Sequence, residues 1–244
     1  MPVTVAPVPH LSDNYAWLLR DEASGAVALC DPGEGPAVAA ALERAGVRRL
    51  DRILLTHHHG DHVAGVAEIK ARFGGQVVGA EADRHRLPPL ELAVRPGETH
   101  ALLGESRAAV IDTPGHTRGH IAFHFPDGAV LLCGDTLFSV GCGRLIEGTA
   151  EEMFGSLRAL AALPGETLAC CGHEYTESNV RFALTVEPDN AALRARAEEA
   201  RAQRAAGRPT VPTTIAQELT TNPFLRAPDA ARLAEIRSAK DSFR

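Results

Sequence analysis

The chain has 244 residues with a net charge of −6, of which 45% are hydrophobic and 23% charged. That is the composition of a globular protein large enough to bury a core. It contains no run of the ~18 apolar residues that a membrane span needs, and its acidity argues against non-specific nucleic-acid binding. Five cysteines, an odd number without a C-x-x-C pair, argue against a disulfide framework or a cysteine zinc knuckle. The start, Met1-Pro2-Val3-Thr4-Val5, lacks the basic and apolar segments of a signal peptide, so the expected compartment is the cytoplasm.

Short apolar runs predict strands over residues 15–20, 26–30, 52–55, 76–80, 108–112, 120–125, 129–133 and 167–171. Helices are predicted between some of them. Residues 36–45 begin with Pro36 and stop at Gly46. Residues 62–73 align Val63, Val66, Ile69 and Phe73 before Gly74-Gly75. Thr149 and Glu152 form a capping box for a helix reaching about residue 163. Strands interleaved with helices indicate an α/β architecture. Beyond Tyr175 the strand signal fades. Helices are predicted over 177–186, 190–206 and 229–241, and Pro209, Pro212, Pro223 and Pro228 read as loop breakers. This divides the chain into a domain of residues 1–175 and a small helical domain of residues 176–244. Charge divides it too: residues 194–244 hold nine Arg and one Lys against six acids, a basic tail on an acidic body.

The densest chemistry is Thr56-His57-His58-His59-Gly60-Asp61-His62, directly after the apolar run Ile53-Leu54-Leu55. Histidine is the commonest metal ligand, and carboxylate can complete or bridge a site. The pattern recurs: apolar runs also lead through Thr113-Pro114-Gly115 to His116, through Gly134 to Asp135, and through Gly172 to His173. Sites in α/β sheets form outside the carboxyl ends of strands. Seven side chains could therefore converge: His57, His59, Asp61, His62, His116, Asp135 and His173. That is too many for one tetrahedral zinc and suits two metals sharing a carboxylate.

The run His57 to His62 matches the H-x-H-x-D-H signature of the metallo-β-lactamase superfamily, and the other ligands follow in that superfamily's order. The chain resembles the glyoxalase II, or hydroxyacylglutathione hydrolase, family over nearly its full length. Ser12-Asp13-Asn14-Tyr15, Thr113-Pro114-Gly115-His116-Thr117, Gly134-Asp135-Thr136-Leu137-Phe138 and Gly141-Cys142-Gly143-Arg144 carry the resemblance. So do Glu147-Gly148-Thr149, Cys171-Gly172-His173-Glu174-Tyr175-Thr176, Asn222-Pro223-Phe224 and Lys240-Asp241.

The resemblance implies a four-layer αβ/βα sandwich followed by a helical glutathione-binding domain. It implies two divalent ions, zinc first with iron or manganese as alternatives. One would be held by His57, His59 and His116, the other by Asp61, His62 and His173, with Asp135 bridging. Residues two apart in an extended loop point the same way, so His57 and His59 can share an ion while His58 points elsewhere. His120 and His124 read as structural, His120 with a possible supporting role behind the ligands, and His10, His85 and His100 as ordinary surface or loop residues.

Two metals ~3.5–4 Å apart can hold a water as hydroxide near neutral pH. The resemblance implies that a metal-bridging hydroxide attacks the thioester of S-D-lactoylglutathione, giving D-lactate and glutathione in methylglyoxal detoxification. The resemblance makes Asp61 and Asp135 the expected catalytic carboxylates, acting as ligands. A thiolate with a pKa near ~8.5 leaves without strong acid help. Arg144, Tyr175, Asn179, Arg237 and Lys240 match the positions that contact glutathione, a small-molecule partner with two carboxylates for Arg and Lys to pair. Nucleic acid and membranes are not expected partners, and a monomer is expected. One departure stands out: Ile146 replaces the Tyr or Phe of many relatives, which predicts weaker glutathione binding. The alternatives are another hydrolase of the superfamily, such as a lactonase, and a mononuclear-iron persulfide dioxygenase, which needs only part of the ligand set.

Overall fold

Along the N-terminal strands, alternate side chains enter two different cores. Trp17, Leu19, Ala28, Cys30, Leu54 and Val78 join one cluster, while Ala16, Leu18, Leu29, Ile53, Leu55 and Val77 join another. A strand buried on both faces is part of a sheet packed between two layers.

The computed structural model describes residues 3–243. The first sheet runs in chain order through β1 (Val3–His10), β2 (Asn14–Asp21), β3 (Val27–Cys30), β4 (Arg52–Leu54), β5 (Gln76–Ala80) and β6 (Leu92–Val94). Its first three strands pair antiparallel and the rest parallel. Helices α1 (Pro36–Arg44), α2 (Gly60–Val63) and α3 (Val66–Phe73) lie in the parallel half, and Val38, Leu42, Ile69 and Phe73 of α1 and α3 cover its outer face.

The second half opens with β7 (Thr99–Leu103), β8 (Ser106–Asp112), β9 (Ile121–Phe125) and β10 (Val130–Gly134). The hairpin β11 (Leu137–Phe138) and β12 (Gly141–Cys142) stands apart. After α4 (Ala150–Ala161) comes β13 (Leu168–Cys171), then α5 (Thr176–Val186) and α6 (Ala191–Ala205). β14 (Thr213–Thr214), α7 (Ile215–Thr221) and α8 (Ala230–Ser242) finish the chain. The second sheet has the order β14-β13-β10-β9-β8-β7. Its inward residues, including Val110, Phe123 and Leu132, close the core against the first sheet, and Met153, Leu157 and Leu160 of α4 belong to the same cluster. This is the αβ/βα sandwich with its helical C-terminal region.

All eight predicted strands are present. Predicted helix 62–73 is instead two helices: the Gly65 N–H turns to Pro32 O at 2.9 Å, and a Cβ at Gly65 would meet the Glu34 backbone at 2.5 Å. The Pro-rich stretch read as loops contains α7, capped where Thr214 accepts from Gln217 N and anchored by buried Ile215.

β8 and β9, like β9 and β10, are antiparallel, and β10 and β13 are parallel. β8, β10 and β13 therefore run the same way and release their last residues at one edge.

Candidate metal centre and its cavity

At that edge the chain beyond β4 is extended through His59 (φ −62°, ψ 143°), then coils into α2. His57 and His59 thus project from the extended part, and Asp61 and His62 from the first helical turn. His59 Nδ1 lies 3.1 Å from His57 Nε2 and 3.0 Å from His116 Nε2, so three ring nitrogens face one point. Beside them, His173 Nε2 stands 3.4 Å and His62 Nε2 3.7 Å from Asp61 Oδ2. Asp135 touches both groups. Its Oδ2 is 3.5 Å from His116 Nε2 and 3.2 Å from His173 Nε2, and its Oδ1 is 3.4 Å from His62 Nε2. The structure brings all seven predicted side chains together.

The donor set fits two divalent cations. His62 Nε2 and Asp135 Oδ1 are buried without a hydrogen-bond partner, an arrangement that costs free energy unless a cation lies between such groups. Room for them is kept by Gly172, where a Cβ would meet Asp135 Oδ1 at 2.4 Å.

Except at His59, the far nitrogens of the rings are tied down, which fixes the tautomers that face inward. His62 Nδ1 lies 3.1 Å from Asp31 Oδ2, His173 Nδ1 2.8 Å from Asp13 Oδ1, and His116 Nδ1 2.9 Å from Arg144 O. His57 Nδ1 is 3.1 Å from Thr56 Oγ1, which in turn donates to Asp31 Oδ2. Asp31 also accepts from Thr56 N, so its oxygens are occupied and it supports the ligands rather than joining them. Asn14 Nδ2 donates to Asp61 Oδ2 at 3.0 Å, and His120 Nε2 accepts from Asp135 N at 3.1 Å.

Electrostatics separate the two groups. Burial, then neighbouring His62 and His120, pushes the His57 pKa well below the imidazole range, and burial lowers that of His59. Both are neutral, the form that ligates. Burial opposes charge on His62, but Asp135 and Asp31 outweigh it and hold its pKa well up. Burial likewise opposes ionisation of Asp135, yet His62 and His173 keep its carboxyl well below the usual range.

The other histidines sort themselves by position. His58 turns away to Asp83 Oδ2 at 3.2 Å, within a cluster that includes the Arg86–Glu147 ion pair. His85 is exposed, and His100 pairs with Glu98. His10 departs from the surface reading. It is buried, with Nδ1 on Val8 O and Nε2 accepting from Gly33 N, because the loop carrying Asp61 packs over it.

A cavity of about 440 Å³ opens from His116 and Asp135. All five residues expected at the substrate line it: Arg144, Tyr175, Asn179, Arg237 and Lys240. Tyr175 stacks on His173 with centroids 4.6 Å apart and 3° between planes. Arg237 is 6% exposed and already donates to Cys142 O and Asp241 Oδ1, so it is wall as much as binding group. Lys240 Nζ reaches Ser178 O and Oγ at 3.1 and 3.0 Å. Burial, then the nearby Arg237, Arg181 and Arg144, lowers its pKa to about 8. Ile146 is 58% exposed and is not among the lining residues.

The motif search missed Asp31, Asp13, Asn14 and Thr56 as supports. Asp31 did carry a signal: it directly follows an apolar strand, as Asp135 nearly does.

Two family models match consecutive stretches of the chain. Residues 11–173 match the metallo-beta-lactamase superfamily, and residues 174–243 match the hydroxyacylglutathione hydrolase C-terminus. The hydroxyacylglutathione hydrolase of Acidiphilium cryptum is 55% identical over 98% of this chain and 97% of its own length. That of Ruegeria pomeroyi is 51% identical over the whole of both. Among solved structures, ETHE1 from Myxococcus xanthus superposes with a TM-score of 0.71 at 26% identity, covering 98% of this chain and 90% of its own. The BLEG-1 B3 metallo-beta-lactamase gives 0.70 at 23% identity over 92% of this chain and all of its own, a likeness of fold.

Proposed function

Because the chain belongs to the hydroxyacylglutathione hydrolase family of the metallo-β-lactamase superfamily, we propose that it hydrolyses the thioester of S-2-hydroxyacylglutathiones, S-D-lactoylglutathione above all, to glutathione and the hydroxy acid. The observation that carries this reading is the single cavity joining His116 and Asp135 to Arg144, Arg237 and Lys240. One end offers metal-ligand chemistry and the other a cationic wall suited to the carboxylates of glutathione.

In this reading His57, His59 and His116 hold one ion, Asp61, His62 and His173 the other, and Asp135 both. Zinc is the first choice, with iron or manganese accepted by the same mixed set. Bound there, two ions supply a water of lowered pKa and a Lewis acid for the carbonyl. The chain does the rest. Asp61 and Asp135 remain ionised ligands, the tethered imidazoles keep their lone pairs inward, and the Tyr175 ring walls the thioester end. Lys240 and Arg144 pair with glutathione carboxylates. The departing thiolate, with a pKa near ~8.5, requires no acid from the protein.

We assign catalysis to residues 1–175 and glutathione binding to 176–244, supported by the position of Ser178, Asn179, Arg237 and Lys240 in the cavity wall. The five buried, unpaired thiols support a reducing compartment such as the cytoplasm. The test combines metal analysis with lactoylglutathione hydrolysis on one preparation. A sample with two ions per chain and no hydrolysis overturns the function. A lactonase would be indifferent to loss of Arg237 and Lys240, so their replacement separates that reading.

A further inference from the structure

The hairpin β11–β12 supplies Phe138 and Cys142 to the cavity wall and continues into Gly143 and Arg144. Little of its own holds it, for it has two residue pairs. Its tip is strained: Val140, a β-branched residue, sits at φ +57°. Cys133 of β10 donates to Leu137 O at 3.2 Å, and most of the remaining hold comes from the helical region. Glu218 Oε2 accepts from Val140 N at 2.7 Å. Asn222 Nδ2 donates to Phe138 O at 3.2 Å and Gly141 O at 2.9 Å, and to Glu218 Oε2 at 2.9 Å. Arg196 Nη2 donates to Ser139 Oγ at 3.1 Å. Glu218 and Asn222 are fully buried, and neither lines the cavity nor touches a metal ligand.

The hairpin's exit strand leads straight to the metal centre. Gly143 lies against Asp135, where a Cβ would meet Asp135 O at 2.0 Å, and Gly143 N donates to Thr136 O at 3.2 Å. The next carbonyl, Arg144 O, receives the His116 Nδ1 proton at 2.9 Å. His116 is the one imidazole of the centre whose far nitrogen rests on this segment. His62 and His173 rest on Asp31 and Asp13, outside it.

We propose that Glu218 is a positioning residue for the metal centre: through Val140 and the hairpin it sets the Arg144 carbonyl and hence the ring of His116. The helical region then does more than contact substrate. It selectively tunes the ion held by His57, His59 and His116, leaving the Asp61–His62–His173 group to its own supports. The proposal rests on the two-metal reading, but its readout needs no substrate, so its failure is distinct from a failure of the thioesterase assignment.

The test uses the zinc-loaded full chain and titrates zinc away with a chelator. Glu218→Ala should release one of two ions at about tenfold lower chelator concentration, in the range for lost supports of metal ligands, with the other ion held as in the wild type. Glu218→Gln, which keeps an acceptor for Val140 N, should restore the wild-type curve. Wild-type release of both ions from a folded Glu218→Ala protein overturns the proposal, and so does equal loosening of both, the mark of general destabilisation. If Glu218→Ala does not fold, Glu218→Asp decides by the same criteria: it keeps the buried carboxylate but draws it back from Val140 N.

Discussion

The two ends of the cavity are built on opposite principles. At the metal end the side chains leave rigid strand ends, are mostly buried, and are held from behind by Asp13, Asp31, Thr56 and a backbone carbonyl. At the cationic end Arg144 and Lys240 come from a loop and the last helix, and the Arg144 side chain is largely exposed. Preorganised groups act on the transition state, where misplacement is costly, whereas peripheral charges contribute binding that ground and transition states share. Damage at the first end should fall on kcat and metal content, and damage at the second on KM.

The sharpest break would come from Asp135, the residue near both groups. Asp135→Ala should lose metal and lower kcat/KM by at least about 10³-fold, ~4 kcal/mol of transition-state stabilisation. Metal analysis beside initial rates checks it. A variant that kept both ions and a tenth of the rate would remove Asp135 from its assigned place. Next is Asp31→Ala, which touches no substrate. Loss of the support behind His62 and of the acceptor for Thr56 N should weaken metal binding by about 10–100-fold and lower the melting temperature through a buried unpaired amide. If zinc affinity and melting temperature both stay at wild-type values, the metal end is not held as described.

That contrast also explains what the sequence disclosed. The seven candidate ligands were legible because each follows an apolar strand, and a buried strand writes itself as an uninterrupted hydrophobic run. Their supports were not. Asp13 lies far along the chain from the ring it holds, and nothing in an ordinary Asp reports a partner 160 residues away. Asp31 stands at the end of an apolar strand, but that place does not name the His62 ring it holds. β1 was hidden because it is an edge strand with Pro7 and Pro9 and a half-exposed pattern. α7 was hidden among prolines, the hairpin strands β11 and β12 are two residues each, too short to leave a pattern, and β14 exists only through pairing with the distant β13. The cationic end was read from resemblance, since Arg237 and Lys240 three apart on a helix look the same on a solvated face.

At the second end the larger effect belongs to Lys240. Its pKa of about 8 means the ammonium is charged below that pH and lost as pH rises through it. Attraction for carboxylates should fade accordingly, so KM should rise above pH 8 with kcat little changed, though a bound anion will move the midpoint upward. Lys240→Met should raise KM about tenfold at pH 7, one charge-assisted contact, and flatten that profile. A wild-type KM that is level from pH 7 to 9.5 would show that Lys240 does not meet the substrate's charge. Stability gives an independent check on the same value. The unfolded chain holds the Lys240 proton up to about 10.5 while the folded chain releases it near 8, so this group makes the fold more stable as pH rises between the two.

The smallest effect expected is at Ile146. An aliphatic side chain 58% exposed beyond the cavity wall contributes little to a glutathione thioester, whereas a ring at that position could fold over the ligand beside Arg144. A partly buried aromatic contact is worth about 0.5–1 kcal/mol, which limits the gain of Ile146→Tyr to a KM about two- to fivefold lower. Since Ile146 lies outside both metal groups and supports no ligand, metal content and kcat should be untouched. An unchanged KM for lactoylglutathione would mean that the substrate does not extend over residue 146, and that the wall formed by Tyr175, Arg237 and Lys240 is the full extent of the second end. A fall in kcat instead would couple that loop to His116, whose backbone carbonyl accepts from the next residue, Glu147, and the division between the two ends would no longer hold there.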